Sequence, residues 1–331
     1  MRSWFILTLC FMPIIFSIFY QARSSIARHL SSPSLIFTQL TFRSRCFHTS
    51  AANMSSTFHH PEYKLPITLP EGLTQETVLN FRAFDTWLST LTRSLSLQSS
   101  NPSHPFHSDP YTLQSVNIQS YDLFGKRLGF LKLQSHITNS AGDFLPGAVF
   151  LRGASVAMLV MLIPDDQPSN TDERYVLLTV QSRIAAGSLE FVELPAGMVD
   201  DEGTFAGAAA KEIQEELGME IPASELTDLS KLALDGTDQD MKREDAEGLA
   251  KAVYPSPGAC DEYIPIFMHE KRVPREQLKE WTGKLTGLRE HGERITLKLV
   301  KMQDLWKEGA RDAKTLAAVA LWEGLRREGK L

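Results

Sequence analysis

A strand, a tight turn and a helix follow one another directly in the middle of this chain. The run LEFVEL at 189–194 predicts a strand, and the turn at 195–197 reads Pro-Ala-Gly. A helical pattern begins at about 204 and ends at Gly218, which stands where a C-cap glycine is expected. A helix that follows a strand this closely packs back on the sheet, so the unit predicts an α+β fold.

Three glutamates lie on one side of the predicted helix. At 100° per residue, Glu212, Glu215 and Glu216 share an arc of about 100° beside the apolar stripe. Like charges three and four residues apart destabilise a helix by a few tenths of a kcal/mol per pair. Grouped carboxylates are also the oxygen ligands that Mg²⁺ prefers, and a bound cation would offset their repulsion. A solvated acidic face is the alternative interpretation of the three acids alone.

Charge is distributed unevenly along the 331 residues. The first 61 hold five arginines, no lysine and no acid, while residues 62–331 carry all 40 acidic and 29 basic side chains. Such an acidic body is a poor surface for non-specific nucleic-acid binding, which needs clustered positive charge. The three cysteines, Cys10, Cys46 and Cys260, form no CxxC pair. Their spacing excludes a disulfide scaffold and argues against a zinc ribbon.

The first 60 residues are predicted to be a leader outside the fold. Residues 4–20 form an apolar run interrupted by Pro13, at the short limit of a membrane span. The acid-free stretch at 21–53 is rich in Arg and Ser, which is typical of a mitochondrial transit peptide. One alternative is a secretory signal or membrane anchor, so that the chain contacts a membrane only if the apolar run is retained. The other is translation from Met54, which predicts a cytoplasmic protein.

The rest of the chain divides into two predicted regions. Residues 61–145 form an accessory region, in which a helical stretch precedes two strands that a turn at Gly125-Lys126 joins as a hairpin. Residues 146–331 contain the strand–turn–helix unit and end in a helix at about 312–327. The predicted apolar side of that last helix consists of Leu316, Val319, Ala320, Leu321 and Leu325.

The strand–turn–helix unit matches a known motif at seven of its nine defined positions. Written G-x5-E-x7-R-E-U-x-E-E-x-G-U, with U a bulky apolar residue, this motif is the Nudix box, which the segment resembles at the required spacing. The motif's first Glu is Gly203 here, with Glu202 adjacent, and its Arg is Lys211. Lysine keeps the charge but lacks the bidentate fork of arginine. The aligned positions are Gly197, Gly203, Lys211, Glu212, Ile213, Glu215, Glu216, Gly218 and Met219.

The resemblance implies the fold and the metal chemistry of that family. The expected fold is α+β, a Nudix-type α/β/α sandwich with a mixed sheet, preceded by a small N-terminal strand and helix region. Glu212 and Glu216 are the implied main ligands of Mg²⁺ or Mn²⁺. Glu215 would assist in metal binding and catalysis, and the Ala196 carbonyl would be a further ligand. Such ions neutralise a diphosphate, activate water and stabilise displacement at phosphorus.

Segments outside the box resemble the ADP-ribose and ADP-sugar diphosphatases, most closely the plant type. They are VQSRIAAGSLEFVELPAGM, which runs into the box, YPSPGACDE at 254–262 and GLREHGERITLKLV at 287–300. This similarity covers about 115–331. The implied function is hydrolysis of a nucleoside diphosphate sugar, such as ADP-ribose or ADP-glucose, to AMP and a sugar phosphate.

Five residues take specific roles by the same resemblance. Arg183, Gly197 and Met198 would contact the substrate. Glu293 stands where a late loop enters a strand and is the candidate base, with Glu290 as the second candidate. Either can act on water only from a position near the metal ligands.

Two further readings of the function stay open, and a partner is implied. One alternative keeps the chemistry and changes the substrate to another dinucleotide such as NADH, although the SQPWPFP segment of NADH-cleaving relatives is absent. The other is a non-catalytic protein that binds nucleotide sugars, which Gly203 and Lys211 favour. Because relatives pair through N-terminal strands, the resemblance also implies a homodimer in which residues 112–150 cross to the partner.

Overall fold

The computed structural model describes residues 55–168, 171–199, 204–235, 247–287 and 294–331. Within these ranges the chain builds two sheets, the first from its N-terminal part and the second from the remainder. Each sheet contains one parallel strand pair among antiparallel ones, so both are mixed. No helix in the described ranges is long and apolar enough to cross a membrane.

The first sheet is centred on a long hairpin. Its strands are β1 (Ser56–His59), β2 (Pro66–Leu69), β3 (Thr112–Phe124), β4 (Arg127–Thr138), β5 (Phe144–Leu145) and β6 (Ala148–Leu151). They lie in the order β1-β2-β3-β4-β5, and β6 also pairs with β4. Gly125, in the turn between β3 and β4, has a φ of 65°, a left-handed conformation that favours glycine. The predicted hairpin is therefore confirmed.

Two helices cover this sheet where the sequence predicted one helical stretch. They are α1 (Gln75–Leu79) and α2 (Arg82–Ser100), and the extended residue Phe81 separates them. Phe84 and Leu88 of α2 are each 1% exposed and pack in the core of the first sheet. The amphipathic pattern thus identified the buried face but not the break between the two helices.

The second sheet has eight strands within the described ranges. They are β7 (Ser155–Pro164), β8 (Tyr175–Arg183), β9 (Ser188–Glu193), β10 (Ala196–Met198), β11 (Thr227–Asp228), β12 (Ile266–Val273), β13 (Leu285–Thr286) and β14 (Ile295–Lys301). Their order is β11-β12-β7-β8-β14-β13, with β10 paired to β7 and β9 to β8. The pair of β7 and β12 is parallel.

Helices cover both faces of the second sheet. Those helices are α3 (Phe205–Glu212), α4 (Leu229–Leu234), α5 (Leu278–Trp281), α6 (Leu305–Glu308) and α7 (Ala313–Arg327). Residues of α3 and α5 share one core cluster with the sheet, and residues of α4, α6 and α7 share the other. The predicted α/β/α sandwich with a mixed sheet is confirmed. Single 3₁₀ turns occur at Ile184–Ala186, Ala223–Glu225, Arg275–Gln277 and Met302–Asp304.

Strand β7 forms the centre of the sandwich, and all ten of its residues are buried. Successive side chains of a strand point to opposite faces. Met158 therefore joins the cluster that contains residues of α3, and Leu159 joins the cluster that contains residues of α7. A continuous apolar run is what a strand covered on both faces requires.

The apolar side of α7 agrees in part with the predicted one, since Leu325 is buried and Val319 and Leu321 pack against the core. Leu316 is 41% exposed, whereas Trp322 and Leu325 are 7% and 3% exposed. Lys314 and Thr315, in the first turn, are also buried. This turn makes polar contacts inside the protein, which hydrophobic periodicity does not register. The sequence pattern therefore missed the burial of this turn, and it wrongly included the exposed Leu316 and Ala320.

Truncation of two leucines in α7 tests which side of this helix is buried. Leu325→Ala should lower the free energy of unfolding by about 2–5 kcal/mol, because it removes buried apolar atoms and leaves a cavity. Leu316→Ala, on the exposed side, should change it by about 0.5 kcal/mol or less. Urea denaturation followed by circular dichroism measures both. Equal losses in the two variants would contradict the orientation of α7.

Candidate functional site

The acidic helix begins as its sequence indicates, but its last turn is wider than an α-turn. The Thr204 hydroxyl caps the helix by accepting a hydrogen bond from the Gly207 amide at 3.1 Å. Regular α-geometry runs to Glu212, and a π-turn follows over Ile213–Leu217. Gly218 ends the helix with a left-handed φ of 67°. Single π-turns inside helices are frequent at functional sites.

Glu216 points into the protein from this π-turn and is only 2% exposed. Its Oε2 accepts a hydrogen bond from the Ala196 amide at 3.0 Å, and its Oε1 accepts one from the Gln181 side chain at 3.4 Å. Burial of a carboxylate is unfavourable unless donors of this kind surround it. The two bonds therefore tie the acidic helix to the turn that precedes it.

Glu212 reaches the same turn because residue 197 is a glycine. A Cβ atom added at Gly197 would overlap both carboxylate oxygens of Glu212, closer than any real Cβ contact. Gly197 is absent from the residues with positive φ, so its backbone conformation does not demand glycine. Close approach of the Glu212 carboxylate to the backbone is the physical reason for glycine here.

The turn itself is fixed to the central strand of the second sheet. In β10, Ala196 and Met198 pair with residues of β7. The Pro195 carbonyl accepts a hydrogen bond from the Met158 amide at 3.0 Å, and the Val199 amide donates to the Ala154 carbonyl at 3.1 Å. The carboxylates of Glu212 and Glu216 thus converge on a segment that the sheet holds in place.

A second set of polar contacts anchors the same turn from the side of α7. The Leu194 amide donates to Asp312 Oδ2 at 3.1 Å and to the Thr315 hydroxyl oxygen at 3.2 Å. Directly before it, Glu193 is 3% exposed and accepts a hydrogen bond at 2.6 Å from Nε of Arg183, the predicted substrate contact. The side chain of Arg183 is 41% exposed. Arg183 is therefore held at the surface by a carboxylate of the strand that leads into the turn.

The oxygen donors at this turn fit a hard divalent cation. Glu212 and Glu216 supply carboxylates, Ala196 supplies a carbonyl, and Glu215 lies half-buried on the same π-turn. Among the described residues, no three Asp, Glu, His or Cys side chains are gathered as a ready ligand set. In this conformation Glu216 faces the Ala196 amide. The donors are suited to a cation but are not assembled around one.

The other residues singled out by the sequence have different outcomes. Glu290, Glu293 and Gly203 fall outside the described residues, so their predicted roles stay predictions. Lys211 is described as an exposed residue of α3. Met198 follows Gly197 in β10 and lines a cavity.

That cavity has a volume of about 560 Å³ and lies beside the turn. Its walls come from α2, the β3–β4 hairpin, the end of β10 and the segment at 254–263, which contains the sequence YPSPGACDE. The aromatic residues in the wall are Phe81, Trp87, Phe205, Tyr254 and Tyr263, and the basic ones are Arg82, Arg127 and Arg152. Hydrophobic lining with a few polar groups is typical of small-molecule sites.

Hydrogen bonds and an ion pair order the wall of the cavity around Asp261. Its Oδ1 accepts from the Arg152 amide at 2.7 Å, and its Oδ2 accepts from the Gly153 amide at 3.1 Å. Burial raises the pKa of the Asp261 carboxyl, and these two backbone hydrogen bonds oppose the rise. The Arg152 guanidinium pairs with Glu262 at 2.7 Å. Burial likewise raises the pKa of the neighbouring Cys260 thiol, which favours the thiol over the reactive thiolate.

Several residues that build the site were not predicted from the sequence. Gln181 and Glu193 lie in the segment before the box, but neither had a role assigned. Asp312 and Thr315 were expected only as part of a helix. An Asp directly before a helical pattern is a recognised N-cap signal. Asp312 was thus the feature of the sequence that indicated specific polar contacts at the start of α7.

Comparison with protein families decides the identity of the second sheet and its helices. The family model described as the NUDIX domain matches residues 156–319. Residues 156–319 belong to the Nudix family. The resemblance predicted from the segment between Gly197 and Met219 is therefore confirmed. Nudix proteins generally use divalent metal ions such as Mg²⁺, in agreement with the oxygen donors at the turn.

One curated relative and one solved structure illustrate the similarity of this Nudix chain to known proteins. Nudix hydrolase 14, chloroplastic, from Arabidopsis thaliana is 40% identical over 220 residues. The match covers 66% of this chain and 65% of that protein, just under two thirds of its length. The crystal structure of an ADP compounds hydrolase aligns with a TM-score of 0.43 and 17% identity, over 67% of this chain and 97% of that one.

Gly197→Ala tests whether this glycine makes room for Glu212. The added methyl group should displace the Glu212 carboxylate from the turn and weaken Mn²⁺ binding by about 10–100-fold, the usual effect of misplacing a metal ligand. Gly324→Ala is the control, since a Cβ there approaches no atom closer than 4.0 Å. Calorimetry with Mn²⁺ measures both variants. Unchanged Mn²⁺ affinity in Gly197→Ala, with correct folding, would contradict the proposed packing.

Proposed function

We propose that this Nudix protein is a metal-dependent hydrolase of nucleoside diphosphate sugars such as ADP-ribose or ADP-glucose. The products are AMP and a sugar phosphate. The observation that carries the proposal is the convergence of the Glu212 and Glu216 carboxylates on the Ala196–Gly197 turn. The name of the Arabidopsis relative, a Nudix hydrolase, supports the reaction class. The resemblance of YPSPGACDE and its companion segments to ADP-sugar diphosphatases supports the substrate class.

Mg²⁺ or Mn²⁺ would be held by Glu212, Glu216, Glu215 and the Ala196 carbonyl. When bound, such an ion neutralises the diphosphate and activates a water molecule. The chain itself orients the ligands. The Ala196 amide and the Gln181 side chain fix Glu216 by hydrogen bonds, and the turn leaves space for Glu212. These contacts keep both carboxylates beside the turn, from which they would rearrange to surround an ion.

Arg183, Gly197 and Met198 are the proposed substrate contacts. Glu193 engages Nε of Arg183 at 2.6 Å, and the other guanidinium nitrogens suit bidentate bonds to phosphate oxygens. Met198 lines the cavity of about 560 Å³, whose size falls in the usual range of ligand pockets. The aromatic side chains that line the cavity suit a purine ring, and its arginine side chains suit phosphate groups. A nucleoside diphosphate sugar would therefore extend from the acidic turn into this cavity.

Glu293 is the proposed general base, with Glu290 as the second candidate. Both belong to the segment GLREHGERITLKLV, and the support for their role is that sequence resemblance alone. Glu215 is a further candidate for a catalytic contribution, because it shares the π-turn with Glu216. Each must come within hydrogen-bond distance of the attacking water, directly or through one other water, in order to act as a base.

Release of AMP tests the activity and separates the alternatives. The purified protein is incubated with ADP-ribose, ADP-glucose or NADH, each with Mg²⁺ or Mn²⁺ and each with a chelator, and AMP is measured by chromatography. The proposal expects AMP from an ADP-sugar only when metal is present. AMP from NADH alone would favour a dinucleotide substrate. Binding of ADP-ribose without any AMP would favour a non-catalytic protein, as Gly203 and Lys211 suggest.

Glu216→Gln tests the role of the buried carboxylate. Loss of one metal-binding charge removes several kcal/mol of transition-state stabilisation, so kcat should fall by about a hundredfold or more. The amide oxygen can still accept the bond from Ala196, and the melting temperature should change little. Glu220→Gln, an exposed position just after the helix, is the matched control and should keep full activity. Wild-type turnover in Glu216→Gln would refute the ligand assignment.

We propose a homodimer that pairs through residues 112–150. Three phenylalanines of this region form a contiguous surface: ring centroids of Phe124 and Phe130 lie 4.9 Å apart, and those of Phe130 and Phe150 lie 5.2 Å apart. Phe124 and Phe150 are 43% and 38% exposed. Exposed apolar clusters of this kind mark association surfaces.

Sedimentation velocity tests the dimer. At micromolar concentration the wild-type chain should sediment as a dimer, and Phe124→Asp should shift it to the monomer because a charge would be buried between the subunits. Phe106→Asp is the control: Phe106 is 42% exposed but lies outside the proposed surface. A monomeric wild type, or equal dissociation by both substitutions, would rule out pairing through this region.

We propose that residues 1–60 direct the protein to an organelle. The support is the acid-free, Arg- and Ser-rich composition of this segment, together with the chloroplastic designation of the Arabidopsis relative. Fusion of residues 1–60 to a fluorescent protein should show import into mitochondria, as the composition predicts, or into chloroplasts, as for the relative. A cytosolic fusion would support translation from Met54, and a membrane-bound one would support an anchor.

A further inference from the structure

A row of four charged side chains runs from the surface of the candidate site to the first turn of α7. Arg183 bonds to one oxygen of Glu193, and Lys314 Nζ donates to the other oxygen. Lys314 Nζ also donates to Asp312 Oδ1 at 3.0 Å. The charges therefore alternate in sign along the row. The side chains of Glu193, Lys314 and Asp312 are 3%, 10% and 7% exposed, so this part of the row is buried.

Lys314 occupies a position that helix stability alone does not favour. It is the second residue of α7, near the positive end of the helix dipole, where a cation is unfavourable. It also places an ammonium group in the interior, which is costly unless partners surround it. Glu193 and Asp312 are those partners. Without Lys314 the two carboxylates would repel each other, and Asp312 would lose the ion pair that Lys314 provides.

We propose that Lys314 is a positioning residue for the candidate site. It neutralises the inner oxygen of Glu193, so that the outer oxygen holds Arg183 at the surface. By its bond to Asp312 it also keeps that side chain in place as the acceptor for the Leu194 amide. The first effect rests on the proposed role of Arg183 in binding the substrate. The second effect concerns the backbone of the turn and is independent of any role of Arg183.

The direction of the effect follows from the charges. Without Lys314, the buried Glu193 carboxylate would retain Arg183 as its only cationic partner among the described residues. Attraction in a poorly solvated site would then draw the guanidinium inward, away from a substrate phosphate. Asp312 would lose one of its donors, and its hold on the Leu194 amide would weaken. Substrate affinity should therefore decline more than the rate of the chemical step.

A double-mutant cycle on Arg183 and Lys314 tests the first effect. Arg183→Met and Lys314→Met should each raise the dissociation constant for ADP-ribose, measured by calorimetry with a chelator present, by roughly 10–100-fold. The double variant should bind no worse than the weaker single variant, because Lys314 acts through Arg183. Effects that multiply would overturn this connection. Lys307→Met, an exposed lysine paired with Asp304, is the control and should bind normally.

Kinetic constants and stability separate positioning from a purely structural role. In Lys314→Met the KM should rise with the dissociation constant, while kcat falls by less than about threefold. Glu193→Gln provides a second variant that keeps the side-chain shape and Lys314. It should also raise KM, even where its melting temperature equals that of the wild type. If substrate affinity follows the melting temperature across all variants, Lys314 is structural and the proposal fails.

Hydrogen exchange at the Leu194 amide tests the second effect without any substrate. This amide donates to Asp312 and Thr315, and Lys314→Met should increase its exchange rate by about tenfold or more, whereas Lys307→Met should not. Unchanged exchange would overturn the anchoring role. A wild-type protein that neither binds nor cleaves ADP-ribose would refute the proposed function, and the exchange result would still decide the role of Lys314 in the turn.

Discussion

The site depends on the hydrogen bond between the Ala196 amide and the buried carboxylate of Glu216. This bond joins the end of a strand to the last turn of a helix, and it fixes the acidic side chain by a backbone atom rather than by water. Gly197 lets the Glu212 carboxylate reach the same strand end. Two like charges can be kept close together in a folded protein only when donors or cations offset their repulsion. The architecture thus supplies hydrogen-bond donors to both oxygens of the buried Glu216 carboxylate.

The helices on the two faces of the second sheet both support the turn of the candidate site. Helix α3 covers one face of the second sheet and α7 covers the other. Backbone amides between Leu194 and Gly197 donate to a carboxylate on each side, to Glu216 in the π-turn after α3 and to Asp312 at the N-cap of α7. Loss of packing on either face would therefore disturb the same few backbone atoms, although each helix buries a separate core.

Sequence patterns predicted the fold better than the orientation of individual side chains. The apolar run of β7 and the box predicted the sandwich and the family. A helical wheel of 100° per residue placed Glu216 at the rim of the packed face, whereas the structure buries it. The difference arises from the π-turn, which changes the angle between successive residues and cannot be predicted from periodicity. The exposure of Leu316 and the burial of Lys314 were missed for another reason. Lys314 is buried because it pairs with Glu193, 121 residues away in the sequence, and local patterns contain no information about such a pair.

The parallel pairing of β7 with β12 has a consequence for synthesis of the protein. During synthesis the acidic helix leaves the ribosome about 50 residues before β12. Strand β7 can therefore pair with β12 only after this long connection has been made. Asp312, which holds the Leu194 amide, arrives 118 residues after it. A chain that stops before Asp312 would carry the complete acidic helix and yet lack this support of the turn before it. The turn at Leu194–Gly197 is therefore fully anchored only after synthesis has passed Asp312.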